Sequence, residues 1–216
     1  MSKSSEKALM YSIGCGDMRA MRHLMDEYLD LVFRTSFRIL CDRKDAEVVS
    51  QDVFVHAWND AAAFDGTMSL EAWMLHHTCR YARMRIVRRR IMYIFGERPD
   101  LFVTTAPKAP TYDDYVTKQA WELYCRISVE MSITHRILFA LCVLEGISEK
   151  DASVITGTSR RRISGLISSA ESRFKKSLRR LESSDDYYRY IGFLRKVDEG
   201  LSERDSLKRM IMASVR

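Results

Sequence analysis

Two clusters of cations are the most chemically pointed features of this sequence. RYARMRIVRRR carries six arginines between Arg80 and Arg90, and the run from Thr158 to Arg180 carries eight Lys or Arg against one acid, Glu171. Charges at this density repel one another unless an anion lies alongside, and nucleic-acid phosphates would neutralise them. On a helical wheel the second run places Ile163, Leu166, Ile167, Ala170, Phe174, Leu178 and Leu181 on one side. Arg161, Ser164, Gly165, Ser168, Ser172, Lys175, Lys176 and Arg179 face the other way. Small residues would let such a backbone sink into a major groove while cations hold phosphates at its ends. Gly165 inside a helix costs roughly 1 kcal/mol relative to Ala, which close approach to DNA would offset. An ordinary solvated basic helix has the same composition. Two such segments in separate parts of the chain favour a bipartite DNA binder over that plainer reading.

The stretch DAEVVSQDVFVHAW, Asp45 to Trp58, carries a different chemistry. Ala46, Val49, Val53, Phe54 and Ala57 form a core-facing stripe. The opposite face holds Val48, Gln51, Asp52, Val55 and Asn59, where a solvated helix would show Lys and Glu. Small apolar contacts around an acid suit a macromolecular partner that offers an arginine. Burial against another element of the same chain is the alternative. HHTC sets His76, His77 and Cys79 close together, but adjacent helical residues point about 100° apart, so the two imidazoles do not share one ion easily. His77 lies on the apolar stripe and is read as a core histidine. No GxGxxG, P-loop, GxSxG or HExxH motif is present, and no catalytic residue, cofactor or metal ligand is assigned.

The elements that would position these residues are helical throughout. Of 216 residues 46% are hydrophobic, only 3 are proline, and the formal charge is +6. That composition excludes wholesale disorder and permits long helices. A first helix is expected over about Met18–Leu40, with Asp17 as its N-cap and Met21, Leu24, Met25, Tyr28, Leu31, Val32, Thr35 and Ile39 as its stripe. CDRKD turns into the Asp45 helix. AFDGTMS is a loop, and a helix on Leu70, Trp73, Met74, His77, Tyr81 and Met84 follows from Ser69. All the prolines fall between Gly96 and Val116, where a linker is expected. Helices around Lys118–Val129 and across THRILFALCVLEG come next. Then a short helix after Ser148, a turn at Gly157 and the long basic helix form a helix-turn-helix. The tail from Ser183 adds one or two small amphipathic helices split near Gly200. Five scattered cysteines without a CxxC pair fit a reducing cytoplasm. No apolar run approaches membrane-span length, and no signal-peptide core is present.

On these residues the chain resembles the extracytoplasmic-function sigma factors of the sigma-70 family. The run from Gly16 to Arg90 is similar to sigma region 2, through Asp42, Asp45, Ala46, Glu47, Gln51, Asp52, Phe54, Ala57 and Trp58, then Phe64 and Gly66, then Ala72 and Trp73. THRILFALCVLEGISEKDASVITGTSRRRISGLISSAESRF is similar to region 4, through Arg136, Glu145, Gly146, Ser148, Gly157, Ile163 and Ala170. The resemblance implies an all-α fold of two helical domains. Residues 1–95 would be region 2, 96–117 a linker, 118–182 the region 4 helix-turn-helix and 183–216 a C-terminal extension.

What the resemblance implies about function follows residue by residue. Core RNA polymerase would be a partner, through the clamp helices of β′ and the flap of β, with Val48, Gln51, Asp52, Val55 and Asn59 on the clamp. Promoter DNA would be the second partner. Phe64 and Asp65 in the Asn59–Ser69 loop, with His76, Arg80, Arg83 and Arg90 on the next helix, would hold the opened −10 element; an aromatic and amide donors can keep an unstacked base. Arg160, Arg161, Arg162, Ser164, Ser168 and Lys175 would serve the −35 major groove. An anti-sigma factor is a further partner the family admits. The sequence departs from the pattern where region 4 often has Lys and Arg. Ser164 and Leu166 stand there, and the cations move up to Arg160–Arg162, which implies an unusual −35 sequence or weaker reliance on region 4. The extension is longer than the minimal family length and is given a regulatory or docking role, over shielding region 4 or capping its last helix. Rival readings are a helix-turn-helix regulator that does not join polymerase and a sigma-like mimic that sequesters an anti-sigma factor.

Overall fold

Short polar side chains set the helix starts. In the computed structural model, which describes residues 3–94, 112–182, 186–196 and 204–215, Asp17 accepts a hydrogen bond from the amide of Arg19 (2.8 Å) and opens α2, Met18–Leu40. Asp42 accepts from the amide of Asp45 (2.8 Å) and opens α3, Arg43–Asn59. Between them α2 ends on Cys41, in the left-handed region at φ 55°. Ahead of these lies α1, Lys3–Gly14, an element the apolar pattern does not announce. It buries Met10 and Ile13, and its Glu6 carboxylate accepts from the amide of Leu70 (3.3 Å). An acid at that place complements the partial positive charge of the helix N-terminus. The helix so capped is α4, Leu70–Ile94. Helices α2, α3 and α4 pack together around Leu24, Leu29, Val32, Val49, Val53, Phe54, Met74 and Leu75, all buried.

The second module begins earlier than the sequence suggests. Helix α5 spans Tyr112–Glu130, so its first residues fall within the expected linker, the rest of which lies outside the described residues. Next come α6, Ile133–Leu138, and a wider π-helical segment, Phe139–Leu144, that ends at Glu145. Helix α7, Glu149–Thr156, starts on Ser148, which accepts from the amide of Asp151 (3.1 Å). Gly157 then turns the chain at φ 67°, a conformation open to glycine at no steric cost. The long basic helix α8 is Arg160–Glu182. Two helices of the extension follow, α9 (Tyr187–Lys196) and α10 (Arg204–Ser214). Among the described residues there is no strand, and the all-α class is as expected.

The two modules share one core. Phe37 of α2 stacks on Trp121 of α5 with ring centroids 4.4 Å apart, and Tyr124, Phe139 and Phe174 continue the aromatic layer. Tyr124 donates to the carbonyl of Arg38 (2.7 Å). Arg38 and Glu145 form an ion pair at 2.7 Å with side chains 3% and 4% exposed, and Arg34 joins the same carboxylate at 3.0 Å. Helix α4 packs against α7. On a helical wheel Cys79 and Ile86 lie opposite the Trp73 stripe of α4, yet both are buried, because this helix is packed on more than one side. Leu181 departs in the other direction. It sits on the expected stripe of α8 but is 41% exposed, beyond the last helix that packs there.

Removing one partner of a buried pair leaves the other charge without compensation. Glu145→Ala is therefore expected to lower unfolding free energy by about 3–5 kcal/mol, read as a fall in the urea midpoint. An unchanged midpoint would show that the modules are held by their apolar contacts alone.

Candidate polymerase and nucleic-acid interfaces

The face of α3 opposite its core stripe is a surface. Ala46, Val49, Val53, Phe54 and Ala57 are buried as the periodicity requires. On the other side Asp52 and Asn59 are exposed, and Val48, Gln51 and Val55 are half-buried. Partial desolvation raises the Asp52 carboxyl above its ordinary pKa, opposed by the nearby Arg85 charge. The half-burial of Gln51 has a specific source: its side-chain amide donates to the hydroxyl of Ser214 on α10 (2.6 Å).

On α4 the arginine cluster divides in two. Arg85 and Arg89 turn toward the first turn of α3, where Arg85 meets Asp45 (2.7 Å) and Arg89 meets Asp42 (2.9 Å). Arg80, Arg83, Arg88 and Arg90 are exposed. The exposed arginines thus remain available for solvent or for an anion, while Arg85 and Arg89, four residues apart on one face, neutralise the α3 cap.

Two expected contacts on this side sit elsewhere. The Phe64 ring is buried and packs edge-on against Trp73 with centroids 6.0 Å apart, so it belongs to the core rather than to an open base pocket. The reason is the turn Ala61–Ala63, which folds the loop back on α4. His76 is half-buried, and its Nδ1 lies 2.8 Å from the carbonyl oxygen of Ile155 at the end of α7. It joins the modules in this conformation. Asp65 is exposed and accepts from the amide and hydroxyl of Thr67 (2.8 and 2.7 Å), bonds that hold its carboxyl below the usual carboxylate range.

The outward side of α8 matches its expected composition. Arg160, Arg161, Arg162, Ser164, Gly165 and Ser168 are exposed, while Ile163, Ala170, Phe174 and Leu178 are buried. A hydrogen bond from Ser153 Oγ to the Thr158 carbonyl (2.7 Å) fixes the turn before it. Lys175 differs. It is half-buried, with its ammonium 4.4 Å from the centre of the Tyr187 ring and 5.9 Å from that of Tyr188. The extension supplies that cation–π contact, and the sequence pattern of α8 alone carries no sign of it.

Residues 24–91 match the family model for sigma-70 region 2. The first module is thus similar to sigma-70 region 2. Two solved structures share its fold. One is the structure of CnrH in complex with the cytosolic domain of CnrY, at 18% identity and TM-score 0.60, covering 82% of this chain and 99% of that one. The other is the sigma factor RpoE in complex with the anti-sigma factor NepR from Bartonella quintana, at 21% identity and TM-score 0.57, covering 73% of this chain and 96% of that one. No curated protein matches the sequence. The all-α helical fold stands as the sequence led us to expect, and the region 2 likeness expected over Gly16–Arg90 is matched over residues 24–91. No described helix is long and apolar enough to cross a membrane.

The HHTC segment acts as packing. The rings of His76 and His77 are nearly perpendicular (89°), and no group of three His, Cys, Asp or Glu able to hold a metal occurs among the described residues. His77 is buried between Trp73 (centroids 4.3 Å) and His56 (4.0 Å). Burial, then the neighbouring His56, His76 and Arg80, push its pKa down to about 3. His56 Nδ1 lies 2.9 Å from the Asp60 carboxylate, and burial lowers the His56 pKa as well. A histidine depressed in the fold binds its proton more readily when unfolded. Stability from His77 is therefore complete above its unfolded pKa of about 6.5 and falls as pH drops toward 3. Carboxylates titrate in the same window, so the test is a difference. The acid-side loss of stability is expected to be shallower in His77→Asn than in the native chain, measured by urea unfolding from pH 7 to pH 4. Parallel curves would remove His77 from the pH response.

Proposed function

We propose that this chain is an alternative sigma factor that joins core RNA polymerase, selects promoters and helps open the −10 region. The α3 face of Val48, Gln51, Asp52, Val55 and Asn59 engages the clamp helices of β′, and region 4 engages the flap of β. Arg80, Arg83 and Arg90 of α4 lie along the opened strand. Asp65 stands at the mouth of the loop that receives a base, with buried Phe64 as the floor beneath it. His76 reaches DNA only once α7 has moved from it. In the −35 major groove the small face of Ser164, Gly165 and Ser168 lets α8 approach closely, and Arg160, Arg161 and Arg162 take the base edges and phosphates at its start. Lys175 reaches phosphate on leaving Tyr187. The two domains run over residues 1–95 and 112–182, the second taking in the whole of α5. The protein works in the cytoplasm and contributes no catalytic group of its own.

The observation that carries this reading is the pairing of two outward cationic surfaces, on α4 and α8, with an α3 face that is neither charged like a solvated helix nor sealed in its own module. A plain helix-turn-helix regulator needs only the α8 surface. The deciding experiment is transcription of a genomic DNA library by core polymerase with and without the protein. Discrete new start sites are expected. Tight duplex binding without new starts would favour a regulator, and capture of an anti-sigma domain without DNA or polymerase binding would favour a mimic.

Two substitutions refine the assignment. Asp52→Arg is expected to abolish polymerase binding with the fold intact, since the side chain is exposed; an unchanged pull-down overturns the patch. Arg161→Ala is expected to weaken −35-dependent initiation by roughly 1–3 kcal/mol if it reads a guanine. A loss equal across promoter variants would mark a phosphate contact instead.

A further inference from the structure

The outer surface of the first module already holds a helix. Helix α10 packs on α3 and buries Leu207, Ile211 and Val215. Its polar side is tied to the same module. Arg204 pairs with Asp30 (3.1 Å) and donates to the carbonyl of Asp26 (2.9 Å), Lys208 pairs with the Asp26 carboxylate, and Gln51 donates to Ser214 (2.6 Å). The Lys208 contact is the largest cause that lowers the Asp26 pKa. The acids are on α2 and the glutamine is on α3, so one short basic helix straddles the two. It meets there the same chemistry that a polymerase helix would need, an apolar strip beside cations.

We propose that α10 is an internal, displaceable ligand of the polymerase-docking face, covering the Gln51 side of that face in the free chain and leaving when core polymerase binds. This inference rests on the assignment of the α3 face to polymerase. The attachment is built to release. At 11 residues the helix is shorter than the roughly 12–15 that hold helical structure alone in water, so it exists as a helix only while docked. The cations that bind it lie at the solvent edge, where ion pairs are screened by salt. A cleft of about 570 Å³, lined among others by Met25, Asp26, Lys208 and Met212, remains along the α2–α10 seam. Helix α9 makes a contrast. Arg195 donates twice to the Val143 carbonyl (2.9 and 2.7 Å), and Leu194 is fully buried in the second module.

The test measures affinity for core polymerase of the full chain and of the full chain carrying Arg204→Glu with Lys208→Glu, which sets acids against Asp26 and Asp30 without shortening the protein. A chain ending at residue 203 is the second variant. Both variants are expected to bind at least tenfold tighter than the native chain, and a synthetic peptide of residues 201–216 added to the shortened chain is expected to reverse its gain. Affinities unchanged within twofold, or weakened, in a native chain that does bind polymerase would overturn the proposal alone. Absence of binding in all three forms would instead overturn the polymerase reading of the α3 face, and this proposal with it.

Discussion

A guanidinium and a carboxylate buried together make one body of the two modules of this chain. Arg38 is the hub. Its side chain meets Glu145 and donates to the carbonyl of Arg195 (3.2 Å), while its own carbonyl accepts from Tyr124. One residue of the first module thus reaches three helical segments beyond the linker. Desolvation lowers the Arg38 pKa, and Glu145 opposes that shift. Arg34, one-third exposed, lets the surplus positive charge of the trio reach water. A buried pair of this kind contributes little net stability over an apolar pair of equal volume, because desolvation consumes most of the Coulomb gain. What it adds is selectivity for one docking geometry, since any misplacement strands a charge. The apolar term comes from Phe37 on Trp121 and from the aromatic layer behind them.

That geometry decides which cations face outward. With α4 packed on more than one side, Cys79 and Ile86 are buried, and His76 spends its hydrogen bond on Ile155. Arg85 and Arg89 are drawn to Asp45 and Asp42. The remaining arginines of α4 and the first turn of α8 stay in solvent on the same body. Long-range attraction to DNA depends on such summed surface charge and does not require the modules to part. On the proposed reading, base capture at the −10 loop is a later and more local event. A contact by His76 requires α7 to move, so partner binding energy has to offset the loss of the interdomain contacts. Each tenfold of differential affinity supplies about 1.4 kcal/mol toward that.

How much of this was legible follows from the range of each interaction. Helix starts at Asp17 and Ser148 were readable, because a cap acts over three residues, whereas the cap at Asp42 reads in the sequence as part of a turn. So were the stripe of α3 and the outward face of α8, because helical periodicity is local. The linker's end was misplaced at Tyr112, since nothing in the YDDYV run marks a helix start as a cap does. Phe64 went from pocket to core because a short helical turn, invisible to periodicity, redirects the loop. Cys79, Ile86 and His76 were set outward because a wheel shows faces but not how many of them are covered; α4 is packed on two sides. Lys175 was assigned to phosphate because its ring partners lie in the extension. Glu145 stood in the sequence as a motif match, and only the fold shows it closing the modules. The shared cause is distance along the chain, 107 to 163 residues for the Arg38–Glu145 and Gln51–Ser214 contacts, separations on which local patterning carries no information.

The acids of the first module are graded by burial, and that grading orders the molecule's responses. Asp26 and Asp30 at the surface take Lys208 and Arg204; Asp42 and Asp45, nearly buried, take Arg89 and Arg85; Glu145, brought from the second module, takes Arg38 at the centre. Exposed pairs are worth about 0–1 kcal/mol and weaken with salt, whereas a buried pair is screened little. A competing surface that presents arginines to α2 and α3 would therefore loosen α10 before it disturbed the α3 cap, and the cap before the clamp between modules. Polyanions act on the other sign of the same charges, at Arg80, Arg83 and Arg90 and at the start of α8, none of which is engaged by the α10 contacts. On the proposed reading, protein docking and DNA docking thus draw on separate sets of charges, so one can proceed without first undoing the other.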